Sequence, residues 1–351
     1  MSMSDEVRKP RSEKAHQKPG KTFAETFIPR KGDSKKERDN KLITLGAAVV
    51  LAACLVILGI YLYQYIETRI NNKKLGTILD QNTPSFVVIP RAEDPASSPV
   101  SDPGLQPEPA VTEPVRVPLT LTPAAIELLA DNPDTVGSVT IPGCVKEVVV
   151  KGTDNIYYLD HNFYGKKRQS GTCFADYRSN LDPYERSDNI ILYAHNNKDG
   201  TMFGNLDYYR WDPGYWQKNP FIYFNTNYTE ETYVIISSFV INTLPEHDDG
   251  KVFDYQNYVN FTGDYSYEKY AEEITKRSQI ITGIDYNEDD DYLTLSTCST
   301  EFDESRHVLV ARKLRADETT ESFDLTAFSK NPNPKWPAIY YKYNGGAYVE
   351  E

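Results

Sequence analysis

Cysteine and net positive charge are two things that this 351-residue sequence has little of. Its four cysteines are too few for a small secreted scaffold held together by disulfides. It holds 38 Lys and Arg against 51 Asp and Glu, which gives a net charge of −13. Binding to a phosphate backbone needs clustered basic residues, so nucleic acid is not expected as a partner.

A long apolar stretch occurs at residues 42–63, which read LITLGAAVVLAACLVILGIYLY and contain no charge over 22 residues. About 20 apolar residues span a bilayer core, so the stretch predicts a single transmembrane helix. A cleavable signal peptide would have a shorter apolar region closer to the N-terminus. Residues 1–41 carry 12 Lys and Arg against 7 Asp and Glu, so the positive-inside rule keeps them in the cytoplasm.

The composition predicts four parts along the chain. Residues 1–41 form a basic cytoplasmic tail, and 42–63 cross the cell membrane as a single pass. Residues 64–120 form an extracellular stalk, because ten prolines between 81 and 123 suit an extended spacer. Residues 121–345 form a folded domain outside the membrane.

The folded part is predicted to be mainly β. Eight segments are rich in β-branched and aromatic residues and are separated by Gly, Asn, Asp or Pro. Eight strands with few helices in about 230 residues indicate a closed or nearly closed β-barrel. One helix is expected after Thr122 and Pro123, and a second after Ser266. The strand segments are GSVTIPG, EVVVK, GTCFADY, NIILYAH, FIYFN, TYVIISSFVIN, YLTLSTC and HVLVARKL.

Cys298 lies at the tip of a predicted strand, where a purely structural cysteine would be poorly buried. Exposed thiols are a liability unless they do chemistry, so Cys298 is a candidate nucleophile. The next strand begins near Arg306, and antiparallel pairing of the two strands would bring Arg306 close to Cys298. Arg306 is therefore a candidate to stabilise an oxyanion. Arg312 shares the strand face of Arg306 but lies roughly 20 Å further along, and we expect its replacement to affect activity only mildly.

A nucleophilic cysteine needs a base, and the sequence offers five histidines. His195 ends the strand NIILYAH and opens a loop that contains glycine, a position typical of an active-site rim. The other four are less suited by position: His16 in the tail, His161 in a loop, His247 in an acidic turn that is expected to be solvated, and His307, which would point to the opposite face from its neighbour.

These residues closely resemble class B sortases. The motif TLSTC at 294–298, an arginine at the head of the next strand, and the upstream YAHNNKDGTMFGNL at 193–206 carry the resemblance. NPDTVGSVTIPG and DNIYYLDHNFYGKKRQSGTCFADYRSN agree as well, and the similar region runs over about 122–315. The resemblance implies a sortase-type closed β-barrel with a helix inserted before the cysteine strand.

The resemblance also implies a cysteine transpeptidase on the surface of a Gram-positive cell, with no cofactor and no metal. Cys298 would attack a threonine carbonyl in the C-terminal sorting motif of a secreted protein, and the acyl group would pass to an amine of a peptidoglycan precursor. His195 would move the protons, and Arg306 would hold the oxyanion or the substrate backbone. Ser296 and Thr297 would line the substrate pocket or serve only as strand residues.

Three alternatives stay open at the level of sequence. A pilin-polymerising sortase often carries a lid segment before the barrel, and residues 75–121 contain no convincing one. A membrane-tethered binding module without activity would lack the cysteine, histidine or arginine, and all three are present. A hydrolase remains open because water can resolve any thioester.

Two other features favour structural roles. Cys144 and Cys173 are expected to be buried apolar residues, with a disulfide between them as the alternative. The acidic run NEDDDY at 287–292 has the oxygen ligands that calcium uses, but a solvated turn is the favoured interpretation.

Overall fold

The computed structural model describes Thr22 and residues 26–81, 118–210 and 212–346. By compactness the chain divides into two units, Met1–Ile70 and Asn71–Glu351. Residues 1–21 and 82–117, which hold much of the predicted tail and stalk, lie outside the described residues.

Helix α1 (Lys35–Gln81) is 47 residues long and contains the predicted transmembrane stretch. Most of its large apolar residues between 42 and 70 are exposed. Within the described residues it is the one helix long and apolar enough to cross a membrane. Past the stretch the helix continues to Gln81, and Ile78 in its last turns is buried within the second unit.

The described part of the second unit contains ten strands, eight of which close into a barrel. Their bounds are β1 Thr135–Ile141, β2 Val145–Val150, β3 Cys173–Ala175, β4 Asn189–Tyr193, β5 Phe221–Thr226, β6 Glu230–Asn242, β7 Ile280–Ile281, β8 Tyr292–Cys298, β9 Ser305–Lys313 and β10 Ser329–Lys330. Around the barrel the order is β1-β2-β3-β4-β8-β9-β6-β5, and β5 pairs with β1 to complete it. The pairs β2–β3 and β4–β8 are parallel, whereas the other barrel pairs are antiparallel.

The predicted barrel is confirmed, since each of the eight predicted segments contributes one barrel strand. The short strands β7 and β10 pair only with each other and were not predicted, because two residues carry no periodic signal. Barrel closure constrains Gly137, where β1 passes β5: a Cβ there would lie 2.1 Å from the carbonyl oxygen of Asn225. Any other residue would force the closing strands apart.

Four helices accompany the barrel in the described residues: α2 Pro123–Asp131, α3 Pro213–Lys218, α4 Tyr267–Arg277 and α5 Ala338–Asn344. The predicted α2 is confirmed, and the Thr122 side chain accepts a capping bond from the Ala125 N–H. Ser266 does occupy the N-cap of α4, but its side chain accepts no capping bond. The expectation of a single later helix was wrong, because the short helices α3 and α5 lie on either side of α4 in the chain.

Strands β6, β8 and β9 are buried on both faces along most of their length. Leu295, Leu309 and Ala311 point into the barrel core. Their neighbours Val308 and Val310 point outward into a second cluster, formed with α4 and the chain before it. The active site predicted at the ends of these strands is therefore carried by strands that are packed on both faces.

Cys144 and Cys173 are both buried free thiols of the barrel core. The burial expected for them is confirmed, and the alternative of a disulfide is wrong. Burial raises the pKa of the Cys144 thiol to about 11 and that of Cys173 well above its usual value. Because the thiolate is the reactive form, neither residue competes as a nucleophile.

The acidic run at 287–292 is not wholly a solvated turn. Asp290 is buried and accepts two bonds from Arg315, from Nε at 2.8 Å and from Nη2 at 2.9 Å. Asp290 also accepts the Asn287 N–H at 2.9 Å. The carboxylate is thus neutralised by a guanidinium. No metal-ligating cluster of three acidic, His or Cys side chains occurs among the described residues.

Arg312 is fully buried at the far end of β9. Its Nη1 and Nη2 donate to the Glu318 carboxylate at 2.6 and 2.7 Å, and its Nε donates to the Asp285 carbonyl at 2.7 Å. The two ions satisfy each other in a fork geometry, which is the arrangement that tolerates removal from water. Arg312 therefore has a structural role.

We expect Arg312→Met to lower the free energy of unfolding by about 3–5 kcal/mol, since Glu318 would lose its partner at a mostly buried site. Arg306→Met is the matched control: Arg306 is partly exposed and pairs with an exposed Glu304, so its loss should cost about 1 kcal/mol or less. Urea unfolding followed by tryptophan fluorescence measures both changes. All three tryptophans follow residue 210, so the signal reports the unfolding of the second unit. Equal losses for the two variants would contradict the structural role of Arg312.

Candidate active site

Strand register brings the three predicted catalytic residues to one end of the barrel. Cys298, the last residue of β8, is the cross-strand partner of Arg306 on β9, as predicted. On the other side of β8, Tyr193 of β4 pairs with Ser296 in parallel register. His195 lies two residues past the end of β4, and Cys298 lies two residues past Ser296, so the same register continued beyond β4 puts His195 level with Cys298. Neighbouring strands lie about 4.8 Å apart, so the three residues form one row.

Arg306 and Cys298 also share a face of the sheet. Successive side chains of a strand alternate, and Val308 and Val310 point outward, so Arg306 does too. Its partner Cys298 points to the same side, and its thiol is exposed. His307, next to Arg306, points to the opposite, inner face, as predicted, and is fully buried there. The row thus opens to solvent above the outer cluster.

His195 is oriented by the loop between β2 and β3. Its Nε2 lies 2.7 Å from the carbonyl oxygen of Leu159. A carbonyl only accepts, so Nε2 carries the proton and donates it. In the neutral ring Nδ1 is then the nitrogen with the lone pair. The main chain of His195 is held as well, because its carbonyl accepts the Phe203 N–H at 3.0 Å.

Asn196 ties the histidine loop to the cysteine. Its Nδ2 donates to the main-chain carbonyl of Cys298 at 2.9 Å. Gly204 lets the loop turn back tightly, since a Cβ there would lie 2.1 Å from the carbonyl oxygen of Asn197. The loop that begins at His195 is thereby bonded to the end of β8, where Cys298 lies.

Arg306 makes two contacts in this structure. Its Nη1 donates to the carbonyl of Ser305 at 3.0 Å, and its Nη2 donates to Oε2 of Glu304 at 3.2 Å. Glu304 is exposed and has a φ of 52°, a left-handed conformation that costs a non-glycine residue energy. The guanidinium therefore has one exposed, weakly held carboxylate partner.

Ser296 and Thr297, predicted to line the substrate pocket or to serve only as strand residues, are both buried. The Ser296 hydroxyl bonds to the Tyr255 hydroxyl at 2.7 Å, and the Thr297 hydroxyl donates to the Ala194 carbonyl at 2.7 Å. These bonds join β8 to the segment that contains Tyr255 and to Ala194, the residue after β4. Contact of either residue with substrate stays a prediction.

The remaining histidines of the barrel have partners elsewhere. His161 stacks on Tyr157, with ring centroids 4.1 Å apart, and its Nδ1 lies 2.8 Å from the Tyr157 carbonyl. His247 packs edge-on against Phe302 and is partly exposed; Glu246 and Asp249 beside it are exposed and Asp248 is buried, so the solvated turn expected here forms only in part. The Nε2 of His307 bonds to the Ser238 hydroxyl at 2.8 Å.

Three residues of the rim were not found from the sequence. Asn196 bonds to the cysteine strand, Tyr255 lies beneath Ser296, and Arg210 forms an ion pair with Glu301 in the loop after Cys298. Asn196 directly follows His195, and that adjacency was the one available signal. Tyr255 and Arg210 reach the site from segments 41 and 91 residues away from their partners, so no local pattern points to them.

The site is an exposed thiol level with a histidine and paired with an arginine on a closed β-barrel, the arrangement of a thiol-dependent acyl-transfer enzyme. Comparison with known proteins agrees. A family model described as the sortase domain matches residues 139–314, half of the chain. Sortase B of Listeria monocytogenes is 28% identical over 193 residues, which cover 52% of this chain and 70% of the relative. Sortase B of Staphylococcus aureus is 28% identical over 189 residues, 52% and 72% of the two chains.

Solved structures of sortase B are also similar to this chain. The X-ray structure of Clostridium perfringens sortase B is 30% identical, covering 54% of this chain and 98% of that one, with a TM-score of 0.48. The Staphylococcus aureus sortase B–substrate complex is 27% identical, covering 56% and 87%, with a TM-score of 0.49. This chain belongs to the sortase family, in class B, and is a cysteine transpeptidase.

Thr297→Val should lower the free energy of unfolding by about 1–3 kcal/mol, because the buried Ala194 carbonyl would lose its donor. Thr300→Val is the control: Thr300 is exposed, so we expect a change within about 0.5 kcal/mol. Urea unfolding measures both. A higher KM for peptide with unchanged stability would instead assign the Thr297 hydroxyl to the substrate.

His307→Gln should make the barrel less sensitive to acid. Burial lowers the pKa of His307 from about 6.5 to about 3, so the neutral ring stabilises the fold above pH 6.5 and this contribution is lost as pH falls towards 3. Between pH 7.5 and 4.5 the wild type should lose up to about 2–3 kcal/mol more than the variant. His161→Gln serves as control in urea unfolding at the two pH values. Parallel losses in wild type and His307→Gln would refute the neutral buried histidine.

Proposed function

We propose that this chain is a membrane-anchored transpeptidase in which Cys298, His195 and Arg306 are the catalytic residues. The observation that carries the proposal is the row formed by the ends of β4, β8 and β9, where an exposed thiol pairs with Arg306 and is level with His195. The reaction cleaves a sorting motif after threonine and transfers the acyl group to an amine.

In the first step the Cys298 thiolate attacks the threonine carbonyl carbon of the sorting motif. A C–S bond forms, and the tetrahedral oxyanion then collapses with loss of the C–N bond. Nδ1 of His195 first takes the proton of the Cys298 thiol, which leaves the thiolate, and His195 then gives this proton to the departing amine. Because its Nε2 is engaged by the Leu159 carbonyl, we assign this transfer to Nδ1.

In the second step an incoming amine attacks the thioester. His195 takes a proton from that amine through the same nitrogen, and the thiolate leaves as the new amide bond forms. The thioester conserves the energy of the cleaved peptide bond, so no nucleotide is consumed. The amine of a peptidoglycan precursor is the proposed acceptor.

Arg306 stabilises the oxyanion or holds the substrate backbone. Its pairing opposite Cys298 brings the guanidinium to the nucleophile, and it is only partly exposed. The contact with Glu304 is a single exposed bond at 3.2 Å, which substrate can displace at small cost. A planar guanidinium then offers several donors to a developing negative charge.

The proposed location is the cell membrane, with the catalytic domain, residues 121–345, outside the cell. The apolar length of α1 supports a single span at 42–63. The basic residues before the span favour a cytoplasmic tail at 1–41. Residues 64–120 would lead from the span to the barrel, with their proline-rich part after Gln81 acting as a spacer. Secreted proteins that carry a C-terminal sorting signal are the proposed substrates.

Replacement of each residue of the row tests the proposal. We expect Cys298→Ala to abolish cleavage, His195→Ala to remove nearly all of it, and Arg306→Ala to slow it by about 10²–10³-fold, the loss typical of an oxyanion donor. The measurement uses the full chain in detergent micelles. Quenched fluorescent pentapeptides of the Asn-Pro-, Ser-Pro- and Leu-Pro-led types report cleavage, with and without triglycine as the amine.

The products separate the proposal from its rivals. Ligated product that requires Cys298 supports a transpeptidase, whereas cleavage with water alone, unchanged by the amine, would make the chain a hydrolase. A pilin-polymerising enzyme would prefer the lysine amine of a protein over triglycine. A thiol at Cys298 that neither cleaves peptide nor alkylates would favour a silent binding module, and full activity of Arg306→Ala would remove Arg306 from the mechanism.

A further inference from the structure

Residues 329–344, here called the C-terminal segment, follow the sortase match at 139–314. They begin as β10, which pairs with β7 through Ser329 and Lys330. Farther on, the main-chain N–H of Asn331 donates to Gln279 at 2.8 Å, and that of Lys335 donates to Lys276 at 2.9 Å. The segment is thus bonded to the end of α4 and to the chain that follows it.

The C-terminal segment then reaches the loop that joins Cys298 to Arg306. Trp336 and Phe302, both buried, form a cluster with Val240 of β6. Phe302 is the middle of this β8–β9 loop, four residues after Cys298 and four before Arg306. Its exposed fraction is only 7% although it lies in a surface loop, because the residues of this cluster, together with His247, cover it.

Further contacts fix the cluster in place. Tyr340 of α5 stacks on Trp336, with ring centroids 3.8 Å apart and planes within 10°. The first residue of α5, Ala338, donates its N–H to the buried carboxylate of Asp248 at 2.8 Å. His247, next to Asp248, packs edge-on against Phe302. Asp248, in the acidic turn predicted to be solvated, therefore anchors the start of α5.

The opposite side of the β8–β9 loop is held by charge. Arg210 forms an ion pair with Glu301 and reaches the Ser299 hydroxyl at 3.4 Å. Asn196 bonds to the Cys298 carbonyl at the start of the loop. The β8–β9 loop is consequently held by Asn196 and Arg210 on one side and by the cluster of Phe302 and Trp336 on the other.

We propose that the C-terminal segment positions the β8–β9 loop, and through it Arg306 relative to Cys298, so that Trp336 is a positioning residue for transfer. The inference rests on the proposed function in its use of Arg306. Loss of Trp336 frees Phe302 and lets the half of the loop that ends at Glu304 move, which shifts the start of β9 and the guanidinium of Arg306 there, while the strand β8 keeps Cys298 in place. Misplacement of a catalytic group by about 1 Å is enough to slow an enzyme many-fold.

The test compares three variants of the full chain in detergent micelles with the wild type. Trp336→Ala removes the contact, Trp336→Phe restores an aromatic ring, and Tyr343→Ala alters a residue that is 65% exposed on the same helix. Hydrogen exchange of amides 299–305 reports loop mobility. The rate of acyl-enzyme formation at saturating peptide reports chemistry, and thermal unfolding reports stability.

A fourth measurement needs no peptide. Alkylation of Cys298 by anionic iodoacetate and by neutral iodoacetamide, followed by mass spectrometry of the peptide that contains it, gives a ratio of rates. A guanidinium beside the thiol favours the anion, so Arg306→Ala sets the ratio expected when that charge is lost. Should Trp336→Ala fail to fold, Asp248→Ala, which removes only the bond to α5, takes its place.

We expect Trp336→Ala to raise exchange in the loop and to slow acyl-enzyme formation, each by about ten-fold, and to shift the alkylation ratio towards that of Arg306→Ala. Trp336→Phe should recover most of each effect, and Tyr343→Ala should match the wild type. Unchanged exchange, an unchanged ratio, or wild-type acylation with only a lower unfolding temperature would each overturn the inference. If the wild type cleaved no peptide, the proposed function would fail. Hydrogen exchange and the alkylation ratio would still show whether Trp336 positions the β8–β9 loop and Arg306.

Discussion

The pairing of β8 with a different partner on each side is the constraint on which the rest of the structure depends. Parallel pairing with β4 fixes the level of His195, and antiparallel pairing with β9 fixes that of Arg306. A slip of one residue would turn Cys298 to the inner face of the barrel. Because the barrel is closed, no single strand can slip alone: β8 would have to carry both neighbours with it. The geometry of the site is therefore maintained by the whole barrel.

Burial divides residues of the same type into reactive and structural ones. Cys298 is exposed, whereas Cys144 and Cys173 are enclosed in the core and remain protonated thiols. Likewise, His195 reaches the surface while His307 is buried and neutral. In each case water and the local charges decide which chemistry a side chain can perform.

Much of the fold and the pairing of Cys298 with Arg306 followed from sequence because both depend on short-range patterns. Strand alternation located β8 and β9, and the short connection between them implied the pairing of Cys298 with Arg306. What escaped depends on partners far apart in the chain. Asp248 looks solvated until Ala338, 90 residues away, donates to it. The tautomer of His195 is likewise set by Leu159 from a separate loop, and nothing in the local sequence encodes that contact.

The closure of the barrel has a consequence for how an extended peptide can be recognised. Many proteins that bind such peptides offer the unpaired edge of a sheet, to which the peptide adds as one more strand. Here all eight barrel strands have a neighbour on both sides, so the main chain of the barrel has few free donors or acceptors to offer. Selection of one peptide over another must then come from side chains of the rim loops, which can diverge between relatives while the barrel stays the same.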